Sequence, residues 1–203
     1  MKKIQILLFS FALIAFVGCK NETKKVEDEV VQEVEEKEEV EEAEEVVKEA
    51  YIAGTPISFA LEAKSDSRAH GKAAMFESDG TVTLEVKITG LDAGTHAIHI
   101  HEKADCSSPD GKSSGGHWNP TFKDHGKWGD ATGYHKGDIG NFVVSEDGIG
   151  KISFSTDEWC LGCGDEKKDV IGKAIVVHQG TDDFTSQPSG AAGARVSCGG
   201  IIH

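Results

Sequence analysis

The sequence is short of positive charge and of long apolar runs. Its 203 residues contain 21 lysines and arginines against 35 aspartates and glutamates, which gives a formal net charge of −14. This deficit disfavours general nucleic-acid binding, because a protein that holds nucleic acid needs a basic surface. The markedly apolar run, residues 4–17, is too short for a comfortable membrane span. Residues 51–203 also lack a long stretch with a helical period, so we expect little α-helix there.

The N-terminus has the pattern of an export signal. Lys2 and Lys3 precede the apolar run, which ends in Phe-Val-Gly-Cys at Cys19. This ending resembles the bacterial lipoprotein processing site, so we expect residues 1–18 to be a signal peptide and Cys19 to carry lipid. The alternative is ordinary cleavage, which leaves Cys19 as a free thiol or discards it. A lipid would anchor the protein to a membrane surface without spanning it, and the predicted location is the periplasm or cell envelope.

The segment after Cys19 consists mostly of Glu and Val. Residues 20–50 contain fourteen acidic and five basic residues and no aromatic residue. Such a segment repels itself and packs no core. We therefore interpret residues 19–50 as the lipidated cysteine followed by an acidic tether. A coiled coil is the alternative, but the valines do not sustain a heptad.

Residues 51–203 are long enough for one domain with a hydrophobic core. Lys2 and Lys3 carry +2 and residues 20–50 carry −9, so −7 of the total of −14 falls on this domain. A small anionic substrate would therefore need a local positive patch within a negative domain.

Strand patterns dominate this domain. Short segments alternate apolar with polar residues, and the pairs Asp79-Gly80 and Asp147-Gly148 are typical of hairpin turns. We therefore expect an antiparallel barrel or sandwich of about eight strands. Predicted strands include residues 56–61, 82–88, 142–144, 149–154 and 175–177.

Potential metal ligands are concentrated in the middle of the chain. Imidazole suits copper and zinc, and a carboxylate beside imidazoles is a usual zinc ligand. The first two histidines are two residues apart within an apolar segment, so a strand would point both to one face. The others lie in a long loop, which compact domains rarely keep unless function or a cross-link holds it. These residues are His99, His101, His117, His125, His135 and Asp138.

Three later residues extend this constellation. His178 ends an apolar strand pattern and can project toward the histidine-rich loop, and Asp182 follows within reach of a turn. Arg195 is one of only two arginines in the chain. Its planar guanidinium suits the recognition of an anion or of backbone carbonyls.

A series of short motifs runs through the domain, at residues 94–102, 116–120, 125–126, 135–141, 171–178 and 193–199. This series resembles that of the copper/zinc superoxide dismutases, and the resemblance covers essentially all of residues 51–203. It implies an eight-stranded antiparallel Greek-key β-barrel or sandwich, immunoglobulin-like, with long metal-binding loops.

The resemblance implies two metal ions that share one ligand. Copper would be held by His99, His101, His117 and His178, and zinc by His117, His125, His135 and Asp138. Asp182 would link a copper ligand to a zinc ligand, and Cys106 and Cys198 would form a disulfide. The implied reaction is the dismutation of superoxide to oxygen and hydrogen peroxide by alternate reduction and reoxidation of copper. His117 and Arg195 are the expected catalytic residues, with Arg195 guiding superoxide.

The pair Cys160 and Cys163 stands outside the resemblance. Four cysteines in the domain allow three pairings, and assigning the other two to each other leaves this Cys-x-x-Cys segment. We interpret it as a local structural disulfide, which export would preserve. A reactive dithiol and an auxiliary copper site stay open as alternatives.

A binding module of another class competes with the enzyme. The same site could store or deliver copper without dismutase activity. The full zinc set, Asp182 and Arg195 favour the enzyme, because a carrier needs neither a redox-inert second ion nor an anion guide. The expected partners are superoxide and, through the lipid alone, a membrane. A copper donor and a homodimer stay open.

Overall fold

The computed structural model describes residues 55–202. The predicted signal peptide, the lipidation site Cys19 and the acidic tether lie outside this range. Within it, the chain forms eight strands and one short 3-10 turn at Lys112–Ser114. The strands are β1 Ile57–Ala63, β2 His70–Ser78, β3 Thr81–Thr89, β4 Gly94–His101, β5 Gly140–Val144, β6 Ile149–Thr156, β7 Ala174–His178 and β8 Arg195–Gly200.

All strand pairs are antiparallel and the sheet closes on itself. The order around the barrel is β1-β2-β3-β6-β5-β4-β7-β8. Strand β7 lies beside β4, outside the run β4-β5-β6, which is the 4-1-2-3 arrangement of a Greek key. The predicted all-β Greek-key barrel is confirmed.

Local sequence explains most of these strands. Buried and exposed residues alternate along β3, with Val82, Leu84, Val86 and Ile88 facing the core. The predicted turn between β2 and β3 has positive φ at both Asp79 (51°) and Gly80 (73°), the backbone of a tight hairpin turn. Strand β2 was not located from the sequence, because its buried positions include Ala73 and Met75 rather than the β-branched residues that mark strands.

The barrel places three long connections at one site. Strands β4 and β7 are neighbours, with His99 opposite Val176. The connection 102–139 follows β4, the connection 157–173 leads into β7, and the connection 179–194 leaves it. The barrel core includes Leu61, Leu84, Ile98 and Ile175. No helix within residues 55–202 is long and apolar enough to cross a membrane.

Candidate metal centre

Two groups of buried side chains bring potential ligand atoms together. In each group, one ligand atom from every residue lies within 4.8 Å of the others. His117 belongs to both groups, and every member is buried. We call the first the all-histidine cluster, comprising His99, His101, His117 and His178, and the second the aspartate cluster, comprising His117, His125, His135 and Asp138.

The barrel wall holds most of the all-histidine cluster. His99 and His101 alternate with the core residues Ile98 and Ile100 along β4, so both rings point away from the core. His178 ends the adjacent strand β7, at a shift in register. The Nε2 atoms of His101 and His178 lie 3.3 Å apart. Two neighbouring strands thus fix three of the four rings.

The rings of the all-histidine cluster favour their neutral form. Burial and the neighbouring rings His117 and His178 hold the pKa of His101 well below its ordinary value, and the pKa of His178 is lowered in the same way. Burial lowers the pKa of His99 despite the adjacent Asp182. For His117, burial lowers the pKa to about 4. Neutral imidazole is the form that binds a metal ion.

The long loop carries the rest of the site along the end of β4. The backbone N–H of Ile100 donates to the carbonyl of Gly137 (2.9 Å), and that of Trp118 donates to the carbonyl of Ile100 (2.8 Å). A side chain at position 137 would collide with the Ile100 carbonyl, so glycine is needed there. These bonds set His117 beside β4 and bring His135 and Asp138 next to it.

Asp138 is the centre of the aspartate cluster. Its carboxylate accepts hydrogen bonds from the backbone N–H groups of His135 (2.8 Å) and Gly126 (3.2 Å) and contacts His117 Nδ1 (2.9 Å). Burial favours the neutral acid, but the three histidines outweigh it and hold the pKa of Asp138 far below its usual range. The Nδ1 atoms of His125 and His135 lie 3.0 and 3.2 Å from this carboxylate.

Four buried ring nitrogens identify where metal ions fit. Among residues 55–202 these atoms make no hydrogen bond, although buried polar atoms normally do. His125 and His135 approach Asp138 closely but without hydrogen-bond geometry, which is how converging ligands of one ion are arranged. The donor set, imidazole nitrogens with one carboxylate, therefore fits copper and zinc. The atoms are His99 Nδ1, His117 Nε2, His125 Nδ1 and His135 Nδ1.

Asp182 connects the two clusters, because each of its carboxylate oxygens contacts a ring of a different cluster. Its Oδ2 lies 2.9 Å from His99 Nε2, and its Oδ1 lies 2.9 Å from His125 Nε2. Burial disfavours the charged form of His125, but the carboxylates of Asp138 and Asp182 outweigh it and raise the pKa of His125 to about 9. Because Asp182 holds Nε2 of His99 and of His125, each ring presents its Nδ1 atom to its own cluster. Gly190 fits only without a side chain, since a Cβ there would overlap the Asp182 carboxylate.

An opening leads to the all-histidine cluster past Arg195. This opening is a cavity of about 360 Å³, and the residues that line it include His101, His117, His178 and Arg195. The Arg195 guanidinium donates to the carbonyl of Gly111 (2.8 Å) and to Ser114 Oγ (3.2 Å). A positive group thus lines the cavity that reaches the all-histidine cluster, in a domain that is negative overall. Ser114 was not identified from the sequence.

Two disulfides stabilise the surrounding loops. Cys106–Cys198 joins the long loop to β8, and Cys160–Cys163 closes a short loop before β7. The first pairing agrees with the resemblance, and the second with the interpretation of a local disulfide.

The connection before β7 also supports the aspartate cluster from outside. The indole N–H of Trp159 donates to the carbonyl of Lys136 (2.8 Å). Glu158 accepts a hydrogen bond from Tyr134 (2.6 Å) and pairs with the Lys136 ammonium. No spacing or motif in the sequence indicated these contacts, because they join distant segments.

Together these features define a Greek-key β-barrel with two adjoining buried clusters of potential metal ligands. The family model of copper/zinc superoxide dismutase matches residues 69–201. The chain belongs to the copper/zinc superoxide dismutase family.

Individual relatives support the assignment. A copper/zinc superoxide dismutase 2 of Aquifex aeolicus is 33% identical over 165 residues, which cover 74% of this chain and 95% of that one. The superoxide dismutase-like protein YojM of Bacillus subtilis is 34% identical over 140 residues, covering 65% and 71%. Among solved structures, the clock protein EA4 superposes with a TM-score of 0.63 at 33% identity, covering 75% and 98%.

Proposed function

We propose that this protein is an exported copper/zinc superoxide dismutase that converts superoxide to oxygen and hydrogen peroxide. The observation that carries the proposal is the position of His117. Its Nδ1 contacts Asp138 in one cluster, while its buried Nε2, without a hydrogen-bond partner, belongs to the other. A single ring shared by two ligand sets serves two ions, which a simple copper carrier does not need.

The ligand assignment follows from the two clusters. Copper would be held by the all-histidine cluster and zinc by the aspartate cluster, since the cluster that contains the carboxylate suits zinc. If bound there, copper would supply one-electron redox chemistry, whereas zinc is redox-inert.

The chain's own residues perform the remaining tasks. Arg195 attracts the superoxide anion and holds it at the mouth of the all-histidine cluster. His117 Nε2 can carry one of the two protons that the second superoxide needs to become hydrogen peroxide. Asp182 keeps His99 and His125 in the ring orientation that presents Nδ1. Burial of the rings limits the access of water.

The N-terminal residues set the proposed location. We propose that Cys19 is lipidated after removal of residues 1–18, and that residues 20–50 hold the domain off a membrane. The disulfides are consistent with export, because they persist in oxidising compartments. Fractionation of cells that express the wild type and Cys19→Ser tests the anchor: the wild type should be found with membranes and the variant should be soluble.

A copper-binding module without dismutase activity is the second candidate. It is favoured by the relatives described as superoxide dismutase-like. Such a module would accept copper from a donor protein or release it to an acceptor.

Superoxide consumption by the copper- and zinc-loaded protein separates the two candidates. The enzyme should exceed His99→Ala and His178→Ala by a wide margin, while His70→Ala should match the wild type, because His70 is exposed and contacts only its own hairpin and the Arg68 carbonyl. Activity no higher than that of the two cluster variants would leave the copper-binding module.

A further inference from the structure

A third group of potential ligands lies outside the two clusters. Among residues 55–202, the Sγ atoms of Cys160 and Cys163 and a carboxylate oxygen of Asp169 lie within 4.8 Å of one another. We call residues 160–169 the Cys loop. We propose that the Cys loop is a redox-gated metal site: the disulfide form binds no ion, and the reduced form binds one thiophilic cation through the two thiolates and Asp169.

The chemistry of the three side chains selects the class of ion. Thiolate ligands favour Cu(I) and Zn(II) over hard cations such as Mg²⁺ and Ca²⁺. A disulfide sulfur offers no thiolate, so ligation requires that the bond be cleaved. The redox state of the pair therefore decides whether the site exists.

Hydrogen bonds hold the Cys loop in addition to the disulfide. Asp169 accepts hydrogen bonds from the backbone N–H groups of Gly162 (3.0 Å), Gly164 (2.8 Å) and Ile171 (3.0 Å). The N–H of Cys160 donates to the carbonyl of Lys168 (2.9 Å). None of these bonds uses a sulfur atom, so we expect them to keep the two sulfurs close enough to share an ion after reduction. Asp169 keeps a free lone pair, since a carboxylate offers about four acceptor positions.

One sulfur of the pair is accessible to a reductant. Cys163 is exposed, whereas Cys160 is buried. In the other disulfide Cys198 is fully buried and Cys106 is partly buried. Exposed disulfides are the labile ones, and thiol exchange requires access to a sulfur. A dithiol reductant should therefore open Cys160–Cys163 before Cys106–Cys198.

The reaction needs an external dithiol and no other partner. A thiolate of the dithiol attacks Cys163 Sγ, the bond to Cys160 breaks, and Cys160 leaves as a thiolate. The second thiol of the reductant then attacks the mixed disulfide and releases Cys163 as a thiolate. Two electrons pass to the pair, the reductant becomes a disulfide, and its two thiol protons pass to the medium or to the freed thiolates. Metal binding displaces any protons that the two sulfurs then carry.

The backbone around Cys163 supports a thiolate at that position. The N–H of Asp165 donates to Cys163 Sγ at 3.4 Å. A hydrogen bond to the charged form of a group stabilises it. This hydrogen bond therefore favours both the release of Cys163 as a thiolate and its binding to a metal ion.

Metal titration of the mature protein tests the proposal. The protein is first loaded with copper and zinc, then treated with limiting dithiothreitol, and mass spectrometry after alkylation identifies the reduced cysteines. Zn(II) and Cu(I) are then offered separately in competition with a chromophoric chelator. We expect one additional equivalent of Zn(II) or Cu(I) in the reduced wild type and none in the oxidised wild type or in Cys160→Ser/Cys163→Ser.

Further variants make the result specific to the Cys loop. Asp169→Asn removes the charge of the proposed third ligand and should weaken the additional binding, and Asp165→Asn, whose side chain caps its own turn, should not. If the double serine variant does not fold, reduced wild type alkylated at Cys163 serves as the control. Equal binding by reduced wild type and control would overturn the proposal, as would reduction of Cys106–Cys198 before Cys160–Cys163. Because superoxide consumption is not the readout, this result is independent of the proposed dismutase activity.

Discussion

The two halves of the candidate metal centre are built on different kinds of support. His99, His101 and His178 of the all-histidine cluster stand on two adjacent strands that the closed barrel holds in register. The aspartate cluster draws His125, His135 and Asp138 from a connection with little regular structure. The first half is preformed by the sheet, whereas the second depends on hydrogen bonds that fix a loop.

Charge separates the two halves as well. The all-histidine cluster contains no carboxylate, and burial lowers the pKa values of His101 and His178, which favours their neutral form. The aspartate cluster contains Asp138 with a strongly lowered pKa, so it offers a full negative charge to a divalent ion. We expect the second half to favour a divalent ion more strongly than the first, because only the second contributes a carboxylate.

Substitution of His117, the ring shared by both halves, should have the largest effect on activity. His117→Ala removes a ligand from both clusters and the proposed proton carrier, so we expect activity to fall by about 10²-fold or more. Zinc and copper content should both decrease. Superoxide consumption and metal analysis measure this, with His70→Ala as the matched control. Wild-type activity in His117→Ala would show that the halves work independently.

The disulfide between the loop and the barrel should give the next largest effect. Cys106–Cys198 closes a separation of 92 residues and Cys160–Cys163 a separation of 3. Because a longer closed loop restricts the unfolded chain more, Cys106→Ser/Cys198→Ser should cost about 2–5 kcal/mol in the free energy of unfolding. Cys160→Ser/Cys163→Ser should cost clearly less. Chemical denaturation of both variants under non-reducing conditions checks this, and equal losses would contradict it.

The carboxylate behind the two clusters should give a moderate effect on both. Asp182→Asn weakens the contacts to His99 and His125, so we expect metal affinity to fall by about 10–100-fold at each cluster. Asp183→Asn is the control, because the Asp183 side chain is exposed and accepts hydrogen bonds only within its own turn. Chelator competition measures both affinities. A loss confined to one metal would show that Asp182 serves one half alone.

Weakening the pair between Glu158 and Lys136, which supports the loop from outside, should have the smallest effect. It should change the affinity for zinc alone. Glu158→Gln weakens the pair with Lys136, and partly exposed ion pairs contribute about 0–1 kcal/mol. We expect zinc affinity to fall a few-fold at most while copper affinity is unchanged. Glu166→Gln, at an exposed position of the Cys loop, is the control. A copper loss as large as the zinc loss would show that this support does not distinguish the halves.

Local patterns predicted the strand-based half well. The two-residue spacing of His99 and His101 places both rings on one face, and the structure confirms this placement. The Asp-Gly pairs predicted hairpins, and β2 and β3 meet at one of them. Strand β2 itself escaped prediction, because alanines at its buried positions carry no strand signal.

Residue types identified the potential ligands of the loop-based half, but their assignment to one ion came from the resemblance. Histidines spaced irregularly along a loop have no period from which a common direction could be read. The supporting contacts of Trp159, Glu158 and Ser114 were missed altogether. They join residues far apart in the chain, so no local signal exists for them.

The sequence by itself determined the chemistry of this protein: which side chains can bind metal, which strands alternate, and where the turns fall. These properties are local, because they follow from residue type and from neighbours a few positions away. Only the tertiary structure decided that Asp182 reaches His99 across 83 residues of chain and that His117 is shared by two clusters. Those contacts depend on the order in which strands close the barrel, since β4 and β7 become neighbours only when the Greek key is formed.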